Sequence, residues 1–573
     1  MAESTVCTDS RDGGPLVASD APPSTIHTAI QPSDTFPVLL SRVLVAIALV
    51  AQIVVAWRYW SLTWDDSAIT LGFARTFTLT GRIEPTPGSG IVEGYSTTLW
   101  MLLMAVAAKF ATTPVALIAV AKISTLLLNL LNIVLIRRWF LTWNNEVCAN
   151  LIAGSMGCGL MFYETINGME TPLILTLVMA MLLLFPISKT SGSGRFWYLL
   201  AGSAFVLVRW EAAWLLVPFV LIESRVRRAV VASATWLAVF VVSNVVRWRY
   251  FGSILPNTII AKRGVPYSGP LSNHYMEPVL ILASCKPLLL VLAAYIVYDR
   301  LVLKDPESPI GRMLRPLHGC WQLRFTVLFL VFSLVLSAGI GENLGPSFRS
   351  FYSGWPFLFF FLIQPVTSGL RSRALVWATA AICVLVLFRM SVRIREMNTA
   401  KGPAYMPGTT ISDVALWATV LDDVESATHR QGLVFAGPDM GGLMLFSHGV
   451  RIVDLGLLCD PVLARERYAA VNSYVLQQRR PDVIEVHQRW TTLTDLHDLP
   501  LFRANYRPVY VDGERVFLSR ALVASIDPAR LSEGRFTAAG HPDAADHLPP
   551  SNAADGADDY VLNNDFGSYL VLR

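Results

Sequence analysis

The sequence predicts a polytopic α-helical membrane protein that carries a C-terminal α/β domain. Three observations carry that prediction. The 573 residues are 53% hydrophobic and only 15% charged, against about 25% charged in soluble domains. Apolar runs near 20 residues, roughly the length a helix needs to cross a bilayer, recur from residue 37 to residue 390. Beyond residue 391 the apolar runs shorten to strand length and are separated by a helical stretch. A net charge of +4 is close to neutral for this length and does not suggest nucleic acid. The seven cysteines are scattered and form no Cys-x-x-Cys pair, so they read as core residues and not as a disulfide framework or zinc site.

Residues 1–36 are rich in Ser, Thr, Pro, Asp and Gly without apolar periodicity and read as a disordered tail. The run at 37–57 has no small-residue cleavage motif after it and is expected to remain as a signal anchor. Further spans are expected near 114–136, 147–165, 170–187, 196–209, 211–222, 229–246, 278–298, 325–340, 352–369 and 374–390, about 11 in all. The apolar stretch 97–110 is too short to cross and reads as a re-entrant or juxtamembrane helix. Basic residues in short loops mark the cytoplasmic side. With a cytoplasmic N-terminus and 97–110 not crossing, Arg137-Arg138, Lys189 with Arg195, Arg225 to Arg228, Arg300 to Arg324 with Lys304, and Arg371 with Arg373 all fall inside. Residues 37–390 then form the transmembrane domain of a multi-pass plasma-membrane protein. The first external loop, 58–96, and an α/β domain at 391–525 lie outside. Strands are expected at Leu433–Ala436, Arg451–Leu455, Asp482–Val486, Val509–Val511 and Val516–Leu518, with a helix over Asp460–Gln478. Residues 526–573 read as a flexible extension whose closing Tyr569–Arg573 adds an edge strand.

This topology gathers the polar groups that are costly beside lipid onto one face. They are Asp65-Asp66, the Asn167–Glu170 turn, Arg209 with Glu211, the Arg247–Arg263 loop, and Glu342 with Arg349. Asp65 or Asp66 can act as a general base, because a carboxylate near a low dielectric has its pKa raised towards the useful range. Helix capping of the segment that follows accounts for the same pair, and a divalent cation held by both is a third use. Arg75 reaches either an anionic ligand or Glu84 or Glu93 in a salt bridge. Glu93 and Tyr95 offer an acceptor and a phenol for sugar hydroxyls, or form a structural turn. Arg247, Arg249, Lys262 and Arg263 run against the positive-inside trend, which phosphate binding or external anionic headgroups would explain. In the C-terminal domain, glycine turns carrying Asp439 and Asp454 follow strands, without the spacing of a dinucleotide site. His448 and His487 are isolated in the sequence and read as surface residues.

In order along the chain stand Asp65-Asp66, Phe73-Ala74-Arg75, Val92-Glu93-Gly94-Tyr95 with Leu99-Trp100, and Gly168-Met169-Glu170-Thr171. Arg209-x-Glu211, Phe251-Gly252 with Leu255-Pro256-Asn257-Thr258, Ala261-Lys262, Arg349, Asp439-x-Gly441 and Asp454-x-Gly456-Leu457 follow. This ordered set, over about 60–525, resembles the GT-C-type membrane glycosyltransferases. It is most similar to the AftB-type arabinofuranosyltransferases of mycobacterial cell walls. The chain departs from that pattern at Thr97-Thr98, at Trp210 and Ala212, and at Glu342, departures that bear on substrate identity more than on reaction type.

The resemblance implies a GT-C-like fold and a polyprenyl-phosphate sugar donor, with arabinofuranose on decaprenyl phosphate favoured. It also implies an envelope polysaccharide or glycolipid acceptor, membrane lipid around the helices, and no nucleic acid. Asp65 or Asp66 would take the acceptor proton, and Arg75, Lys262, Arg263 or Arg349 would meet the departing phosphate. Glu93, Tyr95, Glu170, Arg209, Glu211, Asn257, Asp439 and Asp454 would contact donor or acceptor. A transporter or flippase of a lipid-linked glycan shares the spans and the basic face but needs no general base, and should show inverted repeats.

Overall fold

The computed structural model describes residues 32–263, 271–303, 309–315, 320–340, 349–370, 372–397, 410–487, 489–536, 563, 566 and 568–572. Residues 1–31, Lys304, Glu342 and Arg371 lie outside these segments, so the expectations placed on them do too. The chain begins with α1 (Pro32–Arg58), α2 (Asp65–Thr80), α3 (Thr98–Ala108), α4 (Pro114–Leu141), α5 (Glu146–Ser155) and α6 (Phe162–Asn167). It continues with α7 (Thr171–Thr190), α8 (Gly192–Val208), α9 (Val217–Leu221), α10 (Val226–Phe251), α11 (Asn257–Ala261), α12 (Leu271–Ser284) and α13 (Lys286–Tyr298). The helical part closes with α14 (Pro309–Leu314), α15 (Trp321–Ile340), α16 (Trp355–Gly369) and α17 (Ser372–Met397).

Among the described residues, six helices are long and apolar enough to cross a membrane: α1, α4, α7, α10, α15 and α17. A seventh is added if the pair α12 and α13, bent by 71°, is one span. This differs from the expected count of about 11, and the reason is length. The stretch expected to cross at 147–165 is instead α5 and α6 joined by a π segment, broken where Gly159 takes φ 154°. Beside the break, the Gln52 amide donates to the Gly157 carbonyl at 2.6 Å, a side-chain bond that ties α1 to the interrupted helix. The segments expected at 196–209 and 211–222 are α8 and α9 with a 3-10 turn between them, meeting at Arg209.

The bundle core is aromatic, with Trp139, Phe140, Phe325, Phe329 and Phe357 from α4, α15 and α16 in mutual contact. Several polar side chains inside it are paired. The Asn129 amide donates to Thr165 at 2.8 Å and its oxygen accepts from Tyr352 at 2.9 Å, while Asn132 donates to the Pro172 carbonyl at 2.9 Å. These bonds hold both ends of the turn that bears Glu170.

After α17 come α18 (Ile411–Thr428), β1 (Val434–Gly437), α19 (Gly441–Phe446), β2 (Arg451–Asp454), β3 (Val483–Ile484), β4 (Tyr506–Val511), β5 (Glu514–Ser519), β6 (Leu531–Arg535) and β7 (Ser568–Leu572). They form a seven-stranded sheet in the order β2-β1-β3-β5-β4-β7-β6. The β2-β1-β3 half is parallel and β4 pairs parallel with β7, while the remaining pairs are antiparallel. Two sequence expectations are corrected here. The sheet continues past residue 525, where a flexible extension was expected, and the closing segment is not an edge strand but lies between β4 and β6. Tyr569, Leu570 and Leu572 of β7 are buried, so side chains on both faces of the strand are covered.

The helical part and the sheet are joined by a common core. Phe73, Trp100 and Met101 from α2 and α3 pack in one cluster with Val414 of α18, Leu443 and Met444 of α19, and Val509 and Val516 of the sheet. Full burial of each such side chain contributes about 1.5–3 kcal/mol. The chain segments themselves also meet, since Ile411 N–H donates to the Thr63 carbonyl at 2.9 Å and Trp64 bridges to Thr410.

Candidate active site

Adjacent residues at the start of a helix point in directions about 100° apart, so Asp65 and Asp66 cannot share one environment. Asp65 is turned inward and buried. Its two carboxylate oxygens accept the backbone N–H groups of Gly441 at 2.8 Å and Gly442 at 2.6 Å. Only glycine fits there, because a Cβ on Gly441 would stand 2.2 Å from the Asp65 carbonyl oxygen. Burial, with the nearby Asp439 carboxylate second, pushes the Asp65 pKa well above the ordinary carboxylate value. Asp66 is turned outward with 57% of its side chain exposed, and Arg349 Nη1 stands 3.5 Å from its Oδ2.

Around Asp66, four other stretches of chain converge. Glu170 is fully buried and accepts from Arg209 at 2.9 Å, with Arg349 Nη2 at 3.5 Å from the same oxygen. Arg209 also donates through Nε to Glu211 at 2.6 Å. Lys262, just past α11, is accessible, and its charge is felt by Asp66, Arg209, Arg349 and Glu211. The protein crowded around its ammonium holds the Lys262 pKa below the ordinary lysine value. The cluster is balanced in charge but not in hydrogen bonds. Arg349 Nε, Glu170 Oε2 and Glu211 Oε2 are buried without a partner among the described residues. Buried polar atoms are seldom left so. They provide one donor and two acceptors for a polar ligand.

The approach to the pair is held by Lys122, a buried lysine in the first third of α4. Its ammonium donates to the Leu62 carbonyl at 3.0 Å, to Thr63 Oγ1 at 2.8 Å and to the Trp60 carbonyl. Three short contacts to the segment before Asp65 fix where α2 begins.

Several expected site residues are placed elsewhere. Arg75 meets neither Glu84 nor Glu93 and donates to the Leu445 carbonyl at 2.7 Å, tying α2 to the end of α19. Glu93 and Arg247 consume one another in a two-pronged pair at 2.6 and 3.1 Å, so neither is free for a sugar or a phosphate. Tyr95 is buried and stands edge-on to Phe73 with centroids 5.1 Å apart. Asn257 donates to the carbonyls of Leu457, Leu458 and Asp460 at 3.3, 2.7 and 3.2 Å, which docks α11 onto the loop after β2. Asp454 closes its own turn by accepting from Gly456 at 2.7 Å and Cys459 at 2.6 Å, and burial raises its pKa to about 7. Arg263 is exposed.

His487 is not isolated. It lies just after β3, where Nδ1 meets Glu485 at 2.7 Å and Nε2 meets Asp439 at 3.2 Å. Burial lowers its pKa, but Glu485 and then Asp439 outweigh that and raise it to about 11, so it is an imidazolium at neutral pH. Asp439 follows β1 and Glu485 with His487 follow the neighbouring parallel strand β3. Ligand groups in open α/β sheets gather at such strand ends, and the signal was present as Glu485-x-His487 after an apolar run.

A divalent cation does not fit Asp65 and Asp66. Both Asp65 oxygens are engaged by amides and Asp66 faces a guanidinium. Among the described residues no three His, Cys, Asp or Glu side chains converge as ligands.

No family model matches the sequence, and no curated protein matches it either. Solved structures do. The chain is similar to ArnT from Cupriavidus metallidurans in the apo state, at 12% identity and TM-score 0.51, over 85% of this chain and 98% of that one. ArnT bound to undecaprenyl phosphate gives TM-score 0.49 at 12% identity, over 84% and 98%. The Archaeoglobus fulgidus oligosaccharyltransferase gives 0.46 at 11% identity, over 84% and 74%. At 12% identity the likeness to apo ArnT is one of fold. The chain is a polytopic α-helical membrane protein with a C-terminal α/β domain, and its fold is similar to that of apo ArnT.

Proposed function

We propose that this protein is a GT-C glycosyltransferase that moves a sugar from a polyprenyl-phosphate donor to an acceptor hydroxyl, with Asp66 as the base. The observation that carries the proposal is the arrangement at Asp66. One exposed carboxylate stands beside Arg349 and Lys262, with buried polar atoms awaiting partners around it. The acceptor O–H gives its proton to Asp66 as its oxygen bonds to the anomeric carbon. The bond from that carbon to the phosphate oxygen breaks on the opposite side, and the electron pair leaves with the phosphate. The anomeric centre inverts. Lys262 and Arg349 offset the charge that gathers on the leaving phosphate, which is where fixed cations accelerate a reaction most. Glu170 and Glu211 hold the Arg349 and Arg209 forks in place. Asp439 with His487 lies on the α/β side, behind Asp65, and is suited to orient acceptor hydroxyls.

Arabinofuranose on decaprenyl phosphate is the donor that the ordered sequence motifs favour, and an envelope glycan is the acceptor. The site faces outward in this reading, with a cytoplasmic N-terminus and an external α/β domain.

The test is transfer by purified protein from a panel of radiolabelled polyprenyl-phosphate sugars. Asp66→Asn is expected to lose about 10²- to 10⁴-fold in transfer, the span of a general base, while still binding donor. Asp65→Asn is expected to lose folded protein first. Wild-type transfer rates in Asp66→Asn would remove the base assignment.

A further inference from the structure

At the other end of the bundle lies a cavity that the transfer reaction does not use. The helix α7 has Glu170 just before its first residue and Lys189 near its last, so the two are about 30 Å apart along its axis. Around Lys189, the turn into α8 and the turn into α10 enclose a cavity of about 270 Å3. Lys189, Arg195, Arg225, Arg227 and Arg228 line it, with Glu223 as the one carboxylate.

That carboxylate is already committed. Glu223 accepts from Arg228 at 2.9 Å and from the Arg225 backbone N–H at 3.1 Å. The side chains of Arg195, Arg225 and Arg227 have no hydrogen-bond or ion-pair partner among the described residues. Lys189 lies against the ring faces of Phe185 at 4.1 Å and Trp321 at 5.8 Å and feels the charge of Glu223, which Arg228 also holds. Arg324 lies within electrostatic reach of Lys189, and its Nε is buried without a partner. The helix α10 starts at this cavity with Arg225 as its cap residue, which supplies no side-chain oxygen to the first N–H groups. Unpaired cations converging on the free amide end of a long helix are an anion site, and a tetrahedral phosphate matches its donors.

The surroundings distinguish a lipid from a soluble phosphate. Leu199 and Phe219 form an apolar floor. Beside Arg195, Phe196 is 59% and Trp197 54% exposed on the outside of α8, where aromatic rings mark the headgroup level of a bilayer.

We propose that this cavity binds the phosphate diester of an anionic phospholipid, with the glycerol end on the apolar floor. The site is independent of the glycosyltransferase reading and stands or falls without it.

The experiment measures binding and thermal stabilisation of the purified full chain by phosphatidylglycerol, phosphatidylcholine and inorganic phosphate. Phosphatidylglycerol is expected to bind and to raise the melting temperature, with phosphatidylcholine and inorganic phosphate well behind. Each exposed cation removed should weaken phosphatidylglycerol about 5-fold, so Arg195→Ala with Arg227→Ala loses about 25-fold. Arg195→Lys with Arg227→Lys retains most of the binding and controls for folding. Undiminished phosphatidylglycerol binding in the alanine pair overturns the proposal. So does equal stabilisation by inorganic phosphate, which would make this a soluble-anion site. So does equal binding of phosphatidylcholine, which would make the selectivity apolar.

Discussion

Two neighbouring carboxylates do different work here because one peptide unit separates a buried environment from an open one. Asp65 is buried among backbone amides of the C-terminal domain, while Asp66 stands in the open beside Arg349. Sequence reasoning reached the pair and the need to split its roles. It could not say which was which, since that depends on Gly441 and Gly442, about 376 positions away. Asp454 carries a pH signature of the same kind. Its pKa rises from 3.8 to about 7 on burial, so the folded state holds a proton that the unfolded state has released. Its contribution to stability is therefore largest below pH 3.8 and is lost as pH rises towards about 7. The melting temperature of wild-type protein is expected to fall across that window more steeply than that of Asp454→Asn. Identical slopes would remove the assignment.

At the scale of elements, the decisive contact is α2 against α19. The pair is close because Gly441 has no side chain, and alanine there would meet the Asp65 backbone at 2.2 Å. Gly441→Ala is expected to cost several kcal/mol of docking, of the order of an overpacked core. Transfer and resistance of the C-terminal domain to limited proteolysis should fall together. Lost transfer with unchanged proteolysis would show that the contact does not hold the domain. The strands β1 to β5 were legible because Val, Ile, Phe and Leu run in short stretches between turn residues. The strand β6 was not, since Leu531-Ser532-Glu533-Gly534-Arg535 has no buried residue and therefore no apolar pattern to read. Likewise, an apolar run reads the same whether its helix is whole or, as at Gly159, broken.

For the whole molecule, the two ends of α7, α8 and α10 hold opposite kinds of site. One end carries the mixed-charge cluster at Asp66, and the other the cation-lined cavity at Lys189. The orientation proposed above, with the Lys189 end cytoplasmic, rests on the second, because arginines and lysines in short loops collect on the cytoplasmic side. A reporter fused after residue 138 is expected to signal from the cytoplasm and one fused after residue 400 from outside. A cytoplasmic signal at 400 would take the proposed site out of the envelope. Convergence on Asp66 was visible from topology alone, since the contributing turns share one face. The pairing of Glu93, Arg75 and Asn257 elsewhere was not, because each is held by a group far along the chain.

The clamp on Asp65 makes the α/β domain a lever. The Gly441 and Gly442 amides hold the Asp65 carboxylate, and one planar peptide unit links Asp65 to Asp66, so a displacement of the two glycines acts on the residue next to Asp66. Near-attack geometry tolerates little error, and a misplacement of about 1 Å can cost about 10²-fold in rate. In the proposed reaction, a ligand that shifted the α/β domain would therefore also shift Asp66 and change the rate without touching it.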